Sequence, residues 1–135
     1  MLKLILYNND NIEINKIYKK QFDTELKYNK NIVIYSLYNN NKFVGYTMYK
    51  ILKNYTIKID WIYAPGYGKE FMKKLERKFK KMNIKKIILN VSIDPTENKE
   101  IVMKRLNFYI RLQYKVYNIE FRKDYGPLLN MYKML

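Results

Sequence analysis

Gly66-Tyr67-Gly68 is the segment of this chain whose residue types and spacing most directly suggest chemistry. It stands between an alternating apolar stretch, residues 55–63, and a segment in which Phe71, Met72, Leu75, Phe79 and Met82 recur at helical spacing. The first amides of a helix have no intrahelical partner, and the helix dipole adds partial positive charge there. Two glycines let such a backbone approach an anion closely and adopt positive φ at little cost. A phosphate cradle and a plain tight turn are the two readings of this loop, and Lys69 beside it is either a phosphate partner or a solvated side chain. The available proton chemistry is narrowed by omission. The chain has no histidine and no cysteine, which excludes a Ser-His triad, thiolate nucleophiles, disulfides and the common zinc sites. No metal is expected, and acid-base work falls to carboxylates, tyrosines, lysines or water. Asp60, the only carboxylate within 55–63, is a candidate base. The alternative is an ion pair with Lys58, two positions away on the same strand face.

These residues require a sheet to position them. Residues 55–63 and 85–92 read as strands, and the basic-faced helix between them runs roughly four turns. Such a crossover joins parallel strands and sets the glycine loop at the carboxyl end of the first. Upstream, residues 1–7 read as a strand. Asp10 and Glu13 match a capping box opening a helix over 11–22, and a second short helical piece fits 23–28. Residues 31–38 and 42–52 read as strands joined by Asn39-Asn40-Asn41, and Lys53-Asn54 turns the chain into 55–63, so three strands form an antiparallel meander. Past Asp94-Pro95-Thr96 a helix is expected from Glu97, although Ile101, Met103, Leu106, Phe108 and Tyr109 make no clean apolar stripe. Strands over 112–121 and 128–135 follow, separated by a break at Gly126-Pro127. The predicted fold class is α/β of the α+β kind, a single domain over 1–135 built on a mixed, mostly antiparallel sheet of about six to seven strands.

With 135 residues and 48% apolar composition the chain can bury a core without disulfides or metal. The opening residues are too short an apolar run for a signal-peptide core, and no run approaches membrane-spanning length, so a soluble cytoplasmic protein without a membrane partner is expected. A net charge of +15 invites a nucleic-acid partner. Of the 27 basic residues, however, only Arg77, Arg105, Arg111 and Arg122 are arginine. The lysine excess accompanies abundant asparagine, isoleucine and tyrosine, residues that share A/T-rich codons. Compositional bias is therefore favoured over nucleic-acid binding, while the charge still suits a polyphosphorylated small ligand.

In order and in local motif the chain resembles the GNAT superfamily of N-acetyltransferases over essentially its whole length. Gly66-Tyr67-Gly68-Lys69-Glu70-Phe71-Met72 looks like the end of the family's Q/R-x-x-G-x-G/A pyrophosphate loop. Asn107-Phe108-Tyr109-Ile110-Arg111-Leu112-Gln113-Tyr114 looks like the family's F-Y-x-K-x-G-F segment. Tyr63 stands where the family has Gln or Arg, Gln113 where glycine is frequent, and the family's helix asparagine falls on Val102.

The resemblance implies a sheet with helices on both faces and a splay between strands four and five. It implies acetyl-CoA as cosubstrate, its pyrophosphate on the amides of Tyr67, Gly68, Lys69 and Glu70, near Gly66. The pantetheine arm would pair with the edge of strand four at Trp61, Ile62 and Tyr63, because an open strand edge offers backbone groups to an amide-containing ligand. Tyr109 matches the family tyrosine that donates a proton to the departing thiolate. Its unperturbed pKa near 10, against about 8.5 for a thiol, makes donation feasible, the alternative being an ordinary core aromatic. Asp60 would act as base, and Asn90 and Ser92 could line the acceptor site. The implied activity is transfer of an acetyl group to an amine by direct attack on the thioester, the acceptor being a small molecule or a polypeptide. The alternative is a basic binding module on the same fold without turnover, for nucleic acid. The strand six and seven region offers a surface for a homodimer.

Overall fold

The computed structural model describes residues 1–7, 12–26 and 31–135. Its elements are β1 (Leu2–Leu6), α1 (Ile12–Phe22), β2 (Val33–Asn39), β3 (Lys42–Leu52), β4 (Thr56–Tyr63), α2 (Gly68–Lys81), β5 (Lys86–Ser92), α3 (Lys99–Arg111), β6 (Lys115–Arg122) and β7 (Gly126–Met134). All seven strands form one sheet in the order β1-β2-β3-β4-β5-β7-β6. Every neighbouring pair is antiparallel except β4 with β5, which is parallel and joined through α2. The mixed, mostly antiparallel sheet expected from the sequence is therefore present. No helix among the described residues is long and apolar enough to cross a membrane.

Asparagine makes the turns of the meander. Asn40 and Asn41 both have positive φ, at 51° and 67°, and close a two-residue hairpin between Asn39 and Lys42. Asn54 and Tyr55, also at positive φ, lie in the three-residue turn between Leu52 of β3 and Thr56 of β4. Alternation then sends side chains to two cores. Tyr46 and Met48 pack with Ile14 of α1 on one face. Leu37, Ile57 and Ile59 pack with Phe71, Met72, Leu75 and Phe79 of α2 and with Tyr109 and Leu112 of α3 on the other. The helices thus cover both faces. Glu76, on the sheet side of α2, is buried but paired: Lys133 Nζ lies 2.7 Å from its Oε1, and the Tyr114 hydroxyl donates to its Oε2 at 3.2 Å.

Several element boundaries differ from the sequence expectation for local reasons. The proposed capping residue Asp10 lies outside the described residues, as do Lys27 and Tyr28. Residues 23–26 are not helical, because Asp23 takes φ 52° while its amide closes on the Lys19 carbonyl, ending α1. The third helix starts at Lys99 rather than Glu97. Asp94 first holds Thr96 in a turn through amide and hydroxyl bonds of 2.8 and 2.7 Å, and Asn98 then caps α3 by accepting from the Glu100 amide at 2.8 Å. Gly126 and Pro127 do not interrupt the chain before the last strand but begin it. Gly126 sits at φ 72°, where an added Cβ would stand 2.3 Å from the Ile93 carbonyl oxygen.

Both long helices end alike. In α2, Asn83 at φ 68° follows the cap, with Ile84 N bonded to Phe79 O and Asn83 N to Lys80 O. In α3, Gln113 at φ 71° follows Leu112, with Tyr114 N bonded to Tyr109 O and Gln113 N to Ile110 O. These are Schellman closures, and they explain why residues 112–114 finish a helix instead of opening β6. Gln113 occupies the left-handed position that glycine prefers. Gln113→Gly should therefore raise stability by roughly 0.5–1 kcal/mol, after allowance for the freer unfolded chain, as measured by urea denaturation.

Candidate active site

The site begins with an irregularity in β4. Met48 of β3 pairs with Trp61, but its neighbour Tyr49 pairs with Ile59, so Asp60 is an extra residue in the strand. The bulge reverses the alternation. Ile57 and Ile59 face α2, whereas Trp61 and Tyr63 face α1. It also ends the parallel ladder, whose last pair is Ile59 with Leu89. From there β4 stays with β3 and β5 stays with β7, so the two strands part.

A cavity of about 440 Å³ occupies this splay. Asp60, Trp61 and Ile62 of β4 line one wall, Asn90 and Ser92 of β5 the other, and Glu97, Arg105 and Tyr109 the remainder. A second cleft of about 470 Å³ runs from Ile62 and Tyr63 over Ala64, Pro65, Gly66 and Gly68 to Arg105, Phe108 and Tyr109. Beyond it lies a basic hollow of about 520 Å³ lined by Lys69, Lys104, Asn107, Phe108, Arg111 and Leu112.

The glycine loop has a simple construction. Ala64-Pro65-Gly66-Tyr67 is a turn with proline second and glycine third, Gly66 has φ 78°, and the Tyr67 amide donates to the Ala64 carbonyl at 2.9 Å. That is the type II pattern. The Tyr67 amide is thus committed to the turn, and its hydroxyl accepts from Asn39 Nδ2 at 3.2 Å. The amides of Gly68, Lys69 and Glu70 are the donors left open at the start of α2, which has no side-chain cap. The two glycines differ in purpose. Gly66 supplies the left-handed backbone, with nothing within 4 Å of an added Cβ. Gly68 instead allows α3 to approach, since a Cβ there would lie 3.1 Å from the Phe108 ring.

The structure brings together the other residues singled out in the sequence. Asp60, Trp61, Ile62 and Tyr109 meet in the splay, and Ile62 and Tyr109 also line the cleft that contains Tyr63, Gly66 and Gly68. Lys69 and Glu70 are exposed at the mouth of α2. Asp60 does not pair with Lys58. Its carboxylate lies 3.4 Å from Nζ of Lys50, the residue of β3 directly opposite Lys58 in the ladder. Tyr109 is 8% exposed, its ring edge-on to Phe108 and Tyr114. Burial pushes its pKa up to about 12, partly opposed by the Arg105 guanidinium. Trp61 Nε1 is buried with no hydrogen-bond partner among the described residues. Two lining residues lacked a sequence signal of comparable weight: Glu97 and Arg105, joined by Nη2–Oε2 and Nη1–Oε1 contacts of 2.9 and 3.4 Å.

The overall fold recurs in a solved acetyltransferase of Bacillus subtilis in complex with CoA, which is 14% identical over 100% of this chain and 99% of that one, with a TM-score of 0.71. This is the GNAT fold. The same fold is seen in mutant forms of the spermidine/spermine N-acetyltransferase of Vibrio cholerae, with a TM-score of 0.75 and 12% identity over 99% of this chain and 95% of that one. An uncharacterized N-acetyltransferase of Acanthamoeba polyphaga mimivirus is 31% identical over 96 residues, 70% of this chain. The chain spans only 22% of that relative's length. No protein-family model matches the sequence. Within the GNAT fold, Val102 is a buried core residue and Asn98 a helix cap, so neither presents an amide side chain to the splay.

Proposed function

We propose that this chain is an acetyl-CoA-dependent N-acetyltransferase whose acceptor is an amine on a small molecule or polypeptide. The observation that carries this reading is the parting of β4 from β5 past Ile59, directly beside the unpaired amides that open α2. An elongated ligand with a phosphate at one end and amides along its arm matches that arrangement. Gly68, Lys69 and Glu70 donate backbone N–H groups to the pyrophosphate, aided by the helix dipole. Lys69, Lys104 and Arg111 line the hollow beyond and supply positive charge for a further phosphate. The β4 edge from Trp61 to Tyr63 receives the pantetheine amides where β5 no longer does.

Acetyl-CoA supplies the activated acyl group, and the residues of the splay manage charge and protons. The Tyr109 hydroxyl donates a hydrogen bond to sulfur as it becomes a thiolate. Held at about 12, the phenol keeps its proton more tightly than a thiol near 8.5, so hydrogen bonding precedes proton delivery. Asp60 accepts the proton lost by the attacking amine, directly or through water.

Calorimetry tests the reading. Acetyl-CoA should bind in the micromolar range, and Gly68→Glu should weaken it at least about tenfold, by driving into Phe108 and placing a carboxylate at the anion site. Gly68→Ala, which disturbs Phe108 without adding charge, should lose less. Absence of binding by the unaltered protein would falsify the assignment.

A further inference from the structure

Arg105 takes a place in α3 that an apolar residue would otherwise fill. Val102, Tyr109 and Leu112 are buried along the helix face that meets the sheet. Arg105 lies on that face, one turn before Tyr109. Glu97 grips the two terminal nitrogens of its guanidinium, leaving Nε–H without a partner among the described residues. Ile62, Arg105 and Tyr109 are the residues that line both the cofactor cleft and the splay cavity, and Arg105 alone of these is charged. A thioester held in the cleft and attacked from the splay has to lie where the two meet.

We propose that Arg105 is a catalytic residue whose guanidinium meets the thioester end of the acyl donor and stabilises the negative charge passing from carbonyl oxygen to sulfur during acyl transfer. The inference rests on the N-acetyltransferase reading. In the step itself the amine nitrogen bonds to the carbonyl carbon, and the carbon–sulfur bond breaks with its electron pair going to sulfur. Sulfur takes a proton from Tyr109, and the proton lost by the amine passes through Asp60 to solvent, from which Tyr109 is restored. Arg105 gains and loses nothing. A permanent cation there favours the developing oxyanion and thiolate, disfavours the protonated form of the attacking amine, and makes the buried Tyr109 a better donor. Glu97 aims the fork.

The competing role is a strut, in which Glu97 and Arg105 merely tie the connection after β5 to α3. The two roles predict different signs. CoA carrying carbon-13 next to its thiol, bound to the whole protein, reports the thiol pKa by NMR without an identified acceptor. Arg105→Gln should raise the bound thiol pKa by about one unit. Arg105→Lys should restore most of the shift, and Glu97→Gln, which leaves the cation uncompensated, should lower the pKa. Thiol release from acetyl-CoA should slow about 30-fold or more in Arg105→Gln, with acetyl-CoA affinity within about threefold. An unchanged bound-thiol pKa in Arg105→Gln, or equal shifts in both glutamine variants, overturns the proposal while leaving CoA binding intact. Failure of CoA to bind the unaltered protein instead removes the enzymatic reading and this inference with it.

Discussion

Tyr109→Phe should slow release of the CoA thiol by about 100-fold, with acetyl-CoA affinity changed by less than about twofold. The ring carries the packing, edge-on to Phe108 and Tyr114, and phenylalanine keeps it. Only the hydroxyl is lost, and that group acts on charge that exists at sulfur in the transition state but not in the bound thioester. The effect should therefore fall on kcat and leave binding alone. The pH profile separates this role from that of a residue titrating in the working range. With the phenol held at about 12, Tyr109 remains protonated through pH 10, so it contributes no alkaline fall in rate below that point. Thiol release followed from pH 6 to 10 in both proteins should give a constant ratio. A ratio collapsing toward one above pH 9 would mean that the tyrosine ionises early and that the buried geometry is wrong.

The parts of the fold that could be read from the sequence share one property: local chemistry decides them. Asn40-Asn41 and Asn54 turn the meander because asparagine tolerates left-handed backbone. Phe71, Met72, Leu75 and Phe79 place α2 because their period leaves no other face to bury. The bulge at Asp60 was hidden by the same alternation that revealed the strand. Ile57, Ile59, Trp61 and Tyr63 are all apolar, and because both sheet faces are covered, a reversal of facing leaves no mark on the pattern. The consequence reached the site, since the parallel ladder with β5 ends at this bulge. Arg105 escaped for a related reason. The inward stripe of α3 is Val102, Arg105, Leu106 and Tyr109, and a cation within it spoils the apolar count that would have fixed the helix rotation. The spacing of four between Arg105 and Tyr109 was the available signal. The role of Gly68 was not local at all, because it depends on Phe108 across the cleft.

Raising the pH from 8 to 11 should remove about 5.5 kcal/mol of folding stability, enough to unfold the protein or nearly so. Tyr46, Tyr49, Tyr109 and Tyr114 are between 0% and 8% exposed. Burial raises the pKa of each, and the Glu76 carboxylate adds to the effect at Tyr114. The sign follows from proton counting. Below pH 10 each phenol is protonated in both the folded and the unfolded chain and contributes no pH dependence. Above pH 10 the unfolded chain releases these protons first, so stability falls as pH rises toward the folded pKa values. By pH 11 each buried phenol accounts for about 1.4 kcal/mol. Urea denaturation at pH 8, 9, 10 and 11 should show a nearly flat response to about pH 9.5 and a steep fall afterwards. Tyr109→Phe removes one of the four titrations. Its stability relative to the unaltered protein should improve by about 1.4 kcal/mol between pH 8 and 11. The same substitution that slows the chemistry should therefore make the fold more resistant to alkali, a pairing expected only if this hydroxyl is both buried and protonated in the folded state.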